Sequence, residues 1–191
     1  MADQNKVRFG LSNFYFGTFN EASDGTVTMG SSTHIAGAVS LNMDPDTAES
    51  IFWADNVKYY VANRNNGYTG DLVMAKFPDT FKKTALNYID VAGGGVAESK
   101  LEETKTIYIA FEVNGNAKKT RYIIYNVKPG AITVSNQTTE EDIEVTTESL
   151  SLQMIGDNKT GIIKTKYEEG DTGYETVFSN PPVPAIPVVS Q

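Results

Sequence analysis

Residues 45–81 read PDTAESIFWADNVKYYVANRNNGYTGDLVMAKFPDTF, and the rest of the chain is organised around this stretch. It contains the only tryptophan, Trp53, two aromatic clusters, a polar Asn-rich segment and a nearly unbroken apolar run from Leu72 to Phe77. Pro45 fixes φ and disfavours helix at Asp44, so the preceding strand is expected to break there. Ile51, Phe52 and Trp53 fit no clean alternation and need not be core. Val57 to Val61 resumes a strand, and Asn63 to Gly67 is read as its turn, since Asn and Gly tolerate positive φ. Gly70 to Phe77 then returns as the partner strand. Bulky aromatics carried on such a segment suit a partner's groove better than a catalytic pocket.

Working outward, the remainder is rich in short strands. Val7 to Phe19 alternates, with Val7, Phe9, Leu11 and Tyr15 on one face and Phe14 and Phe16 on the other. Glu21 to Gly25 is a hairpin turn ending in Asp-Gly. Strands follow at Thr26–Met29 and His34–Met43. Thr106 to Val113 sends Ile107, Ile109, Phe111 and Val113 one way and Tyr108 and Glu112 the other. Asn114-Gly115-Asn116 turns into Thr120–Val127, which Pro129-Gly130 is expected to stop before a short strand at Ala131–Val134. Between Ile143 and Ile155 the apolar phase changes, so a bulge near Thr147–Ser149 would let that strand serve two sheets. Gly161 to Tyr167 closes the set.

Asp79 reads as the N-cap of a single short helix, with Phe77, Phe81, Ala85 and Tyr88 along one stripe. These signals predict a mainly β fold, a β-sandwich or flattened barrel with one flanking α-helix and roughly nine to eleven strands. No linker divides the chain, so 1–191 reads as one domain. Residues 179–191 hold four of the seven prolines and read as an extended C-terminal arm.

Composition narrows the chemistry. With no cysteine there is no disulfide, thiolate nucleophile or cysteine metal site. The opening MADQNKVRFG does not read as a signal peptide, and no run reaches the roughly 20 apolar residues of a membrane helix. The net charge of −8 argues against ordinary nucleic-acid binding, which draws on Lys and Arg. The acids cluster at Glu98–Glu103, Glu140–Glu148 and Glu168–Asp171, and runs of this kind ordinarily form solvated loops. His34 is the only histidine, with nothing nearby in sequence to make it catalytic or metal-binding. Glu140-Glu141-Asp142 lacks the six or more converging oxygens of a hard-cation site. No nucleophile elbow, P-loop or zinc-protease motif occurs, and no cofactor or enzymatic activity is expected.

Several segments taken together carry a resemblance. They are Asn5-Lys6-Val7-Arg8-Phe9-Gly10-Leu11, Gly37-Ala38-Val39-Ser40-Leu41, Asp44-Pro45, Phe52-Trp53-Ala54-Asp55-Asn56, Tyr59-Tyr60 and Gly67-Tyr68-Thr69-Gly70-Asp71-Leu72. In order and spacing these resemble the major tail proteins of long, non-contractile-tailed bacteriophages, over residues 5–90. The resemblance implies a virion tail-tube subunit that self-assembles into stacked hexameric rings, the conduit for DNA. It also implies a tape-measure protein inside the tube and terminator and distal-tail proteins at its ends. On this reading Phe52, Trp53, Tyr59, Tyr60 and Tyr68 are candidates for the assembly interface, since hot spots favour Trp and Tyr. Loops 41–72 and 92–106 are candidates for ring-to-ring contacts. Glu112, opposite the apolar face of its strand, is a candidate lumen-facing acid, because a carboxylate wall repels phosphate and lets DNA slide. The competing reading is a surface-displayed β-sandwich adhesion or carbohydrate-binding module, with Trp53 and Tyr59 stacking on sugar rings.

Overall fold

Strand β9 (Thr120–Val134) turns one sheet into two facing halves. Its first part pairs with β8 (Ile107–Gly115) on one edge and β11 (Lys164–Glu168) on the other, and its second part pairs with β10 (Glu148–Met154). The change occurs around Asn126, whose φ of 49° is left-handed, and at a register shift opposite Leu150–Leu152. Pro129 and Gly130 therefore lie inside a strand and do not end it. The strand shared between the halves is β9; of the segment with the phase change, Ile143 and Val145 lie outside the described residues, and β10 runs unbroken from Glu148 to Met154. A computed structural model describes residues 6–115, 117–136 and 146–185.

The first half continues from β8 to β1 (Arg8–Glu21), which carries β2 (Val27–Met29) and β3 (Thr33–Ile35) on its far edge. The second half continues from β10 to β5 (Val57–Met74) and ends at β4 (Ala38–Ala54). Among the described residues no pairing joins β4 to β1, so the sheet is a folded-over sandwich and not a closed barrel. A small separate hairpin, β6 (Ile89–Val91) with β7 (Gly95–Ala97), follows the helix.

Alternation builds the core between the halves. Leu72 and Met74 from β5, Leu150, Leu152 and Met154 from β10, Ile107 and Ile109 from β8 and Phe14 and Phe16 from β1 all bury there. In β1 the phase slips at Gly10 (φ 70°) and Asn13 (φ 49°), so Leu11 joins Phe14 and Phe16 and is not on the face of Tyr15. Helix α1 (Asp79–Ala85) closes one end, with the Phe81 ring 4.8 Å from Phe16 and 5.1 Å from Phe77. The expected stripe holds: Phe77, Phe81 and Ala85 are fully buried and Tyr88 packs against the same cluster. Asp79 is its first helical residue, where its charge suits the macrodipole, and the cap position belongs to Pro78 without a side-chain cap bond.

The outer face of β8 and β9 is not left to solvent. Residues 171–183 fold back across it, burying Val177 over Tyr108, Ile123 and Tyr125 and Tyr174 against Arg121 and Glu112. The Tyr125 hydroxyl donates to the Pro182 carbonyl at 3.0 Å, and burial pushes its phenol up to about 12. The described part of the arm, through Ala185, thus begins by docking on its own subunit; the rest lies outside the described residues.

The stretch 45–81 departs most from expectation. The chain reverses at Asp55-Asn56, where φ values of 51° and 62° make the two-residue turn that matches strand twist. Asn63 to Gly67 lies within β5. Pro45 sits opposite Tyr68 in β4, the end strand of the path, where the missing N–H is tolerated. Pairing of β5 with β10 covers only Tyr68–Met74, so residues 46–66 form a two-stranded ribbon about 30 Å long at about 3.3 Å per residue. Gly67 marks its root. It is buried at φ 120°, and a Cβ there would collide with the Met154 carbonyl oxygen of the adjoining strand. Gly67→Val is expected to cost about 3 kcal/mol or more, combining left-handed strain with overpacking. Chemical denaturation measures this; a midpoint equal to that of the parent protein would show that the root is not fixed by Gly67.

Candidate assembly interface

The ribbon carries its rings uncovered. Phe52, Trp53, Tyr59 and Tyr60 are 61%, 57%, 72% and 62% exposed. Register opposes Phe52 to Tyr60 and, on the other face, Trp53 to Lys58 and Ile51 to Val61. A bulge between Phe52 and Trp53 leaves Tyr59 as the extra residue, and its ring meets Phe52 edge-on at 6.5 Å. One face therefore displays Phe52, Tyr59 and Tyr60, and the other Trp53, Ile51 and Val61. The Lys58 ammonium lies 6.0 Å from the Trp53 ring centre. The turn that assembles this cluster was readable as Asp-Asn between aromatic runs, but the Asn-rich segment ten residues later was the louder signal.

Tyr68 does not belong to the cluster. It lies at the ribbon's root, half-buried against the main core, with the Lys164 ammonium 4.4 Å from its ring. Of the five aromatics singled out from the sequence, four come together and one serves the body.

Glu112 is also placed differently from expectation. Its side chain does leave the apolar face, but the 171–183 segment covers that side and it is 2% exposed. The Arg121 Nε donates to its carboxylate at 3.0 Å, the Tyr174 hydroxyl at 3.2 Å and the Asn13 amide at 3.3 Å, with the Lys119 ammonium 3.3 Å away. Burial pushes the carboxyl up, but hydrogen bonds and charge from Arg121 and Lys119 outweigh it and hold the group below the usual carboxylate range. Arg121 also donates to the Tyr174 carbonyl at 2.6 Å and lies 3.9 Å from the Tyr174 ring and 4.6 Å from Phe178. Glu112 thus holds the C-terminal segment down and offers no charge to a lumen.

The open face of the second half is polar instead. Asn42, Asp71 and Ser151 form one cross-strand row, and Asp44, Thr69, Gln153 and Lys128 the next, all exposed. Most of these residues, with Gly70, Thr104, Pro129, Gly130 and Leu152, line a shallow groove of about 610 Å³. Elsewhere, His34 is exposed, with its ring 4.9 Å from Tyr15. Among the described residues no three His, Asp or Glu side chains converge, and no helix is long and apolar enough to cross a membrane. The Glu140-Glu141-Asp142 run lies outside the described residues.

No family model matches the chain, and no curated protein does. Among solved structures, it is similar to a chain of the PVC sheath–tube complex, an extracellular contractile injection system in its extended state. That match has 13% identity and a TM-score of 0.44, covering 85% of this chain and 93% of that one. It is also similar to a chain of the anti-feeding prophage tube-terminating cap, with 14% identity and a TM-score of 0.45, covering 88% and 98%. A chain of the anti-feeding prophage baseplate matches with 12% identity and a TM-score of 0.44, covering 89% and 98%.

Proposed function

We propose that this chain is a tube-building subunit of a phage-type tail, a major tail protein that closes into hexameric rings and stacks them into a conduit for DNA. The observation that carries the reading is the aromatic ribbon. A two-stranded hairpin alone in water is marginally stable, and exposed contiguous apolar surface on one marks a protein contact. Four rings at its far end find no cover among the described residues of their own subunit. A second copy provides cover, and a heterologous contact that closes makes a ring. The sequence resemblance over 5–90 supplies the hexamer, the non-contractile tail and the tape-measure, terminator and distal-tail partners.

The polar face bearing Asp44 and Asp71 is the wall offered to DNA, in place of Glu112. Small hydroxyl and amide side chains with two carboxylates and one lysine repel phosphate weakly over a Debye length of about 8 Å, so duplex passes without being held. The direct test is negative-stain microscopy of the purified protein at rising concentration. Stacked rings or tubes are expected; monodisperse monomers that bind a glycan array would replace this reading with an adhesion module.

A further inference from the structure

Between the start of β1 and the root of β4 the sandwich is open, and an apolar slot of about 280 Å³ runs along the seam. Leu11, Leu41, Met43 and Val113 form its walls, and Phe111 stacked on Tyr122 at 5.4 Å forms its floor. The Tyr122 hydroxyl is buried there without a hydrogen-bond partner. Two cations stand at the rim, Arg8 at 5.6 Å from the Tyr122 ring and Lys164 over Tyr68. Among the described residues neither has a carboxylate within 4 Å. The slot therefore asks for an apolar or aromatic body followed closely by a negative charge.

The ribbon tip has that pattern. Trp53 and Ala54 precede Asp55 at the turn, and Val57 follows it, with Trp53 and Val57 exposed at 57% and 56%. The tip cannot serve its own seam, because eleven residues of extended strand lie between Met43 and Asp55, twelve steps or about 40 Å at about 3.3 Å per residue. We infer that the tip of one subunit's ribbon docks in the β1–β4 seam of another copy, with Trp53 over the apolar walls and Asp55 between Arg8 and Lys164. The inference rests on the self-assembly reading and names the receiving surface. Tip and seam are different patches, so the contact is heterologous and propagates to a further copy.

The chain lacks cysteine, so introduced thiols report without background. Phe9, at the mouth of the slot, is 58% exposed, and Leu101, far along the chain, is 84% exposed. F9C/V57C and V57C/L101C would each be assembled and treated with a short bifunctional thiol reagent. Docking predicts a ladder of covalent oligomers from F9C/V57C and none from V57C/L101C. It also predicts that R8E/K164E raises the concentration needed for assembly at least tenfold, with an unchanged monomer melt. Tubes in which F9C/V57C yields no ladder would overturn the docking while leaving tube formation in place. Absence of polymer from the parent protein would overturn both.

Discussion

Replacing Phe52, Trp53, Tyr59 and Tyr60 together by serine is expected to yield a folded monomer that no longer polymerises at any accessible concentration. Anchoring aromatics at interfaces cost about 2 kcal/mol or more each when truncated. Even if non-additivity halves the sum, four of them amount to about 4–6 kcal/mol per contact, or roughly a 10³- to 10⁴-fold loss in association constant at 1.4 kcal/mol per decade. All four are more than half exposed and outside both core clusters, so the monomer should lose only a few tenths of a kcal/mol. Sedimentation velocity and microscopy read the assembly, and thermal unfolding reads the fold. If the variant still forms tubes, the ribbon is not the assembly surface; if the monomer itself unfolds, these rings serve the fold of their own subunit. The companion change Tyr68→Ser should behave oppositely, costing subunit stability through lost core packing.

Glu112→Gln is expected to destabilise the subunit by about 3–5 kcal/mol, the usual consequence of breaking a buried pair from one side. Arg121, with its side chain 15% exposed, would keep its charge against a neutral amide. The latch on Tyr174 and Phe178 would then loosen and uncover Tyr108, Ile123 and Tyr125. Limited proteolysis should cut the variant within residues 168–180, where the parent resists. The pH dependence has a definite sign. The folded carboxyl lies below its ordinary value of 4.5, so its stabilising contribution is complete above that value and is lost as pH falls through the folded one. The parent should therefore lose stability on acidification below pH 4.5, and Glu112→Gln should lose less across the same interval. Equal acid slopes in the two proteins would remove Glu112 from this role.

Alternation and turn chemistry were legible along the chain. Ile107, Ile109 and Phe111 face one core, Leu150, Leu152 and Met154 the same core from the other half, and Phe77, Phe81 and Ala85 follow a helical stripe. Period and turn residues are local properties, and they suffice to specify a mainly β chain with one short helix. Which strand would bend was not local. Asn126 tolerates a left-handed φ as any Asn does, but that the bend falls there is seen only once β8, β11 and β10 are placed along the edges of one long strand. The same holds for burial on the outer face of β8. A carboxylate at an alternating position reads as exposed, yet Glu112 is enclosed because a segment some sixty residues later lies across it with a guanidinium between. The position of the hairpin turn was written at Asp55-Asn56, but choosing it over Asn63–Gly67 required knowing that β10 stops pairing at Tyr68 and leaves the ribbon free. Sequence thus determined which residues can bury or turn, because those preferences belong to each side chain; tertiary structure decided which do, because cover comes from residues far away in the chain.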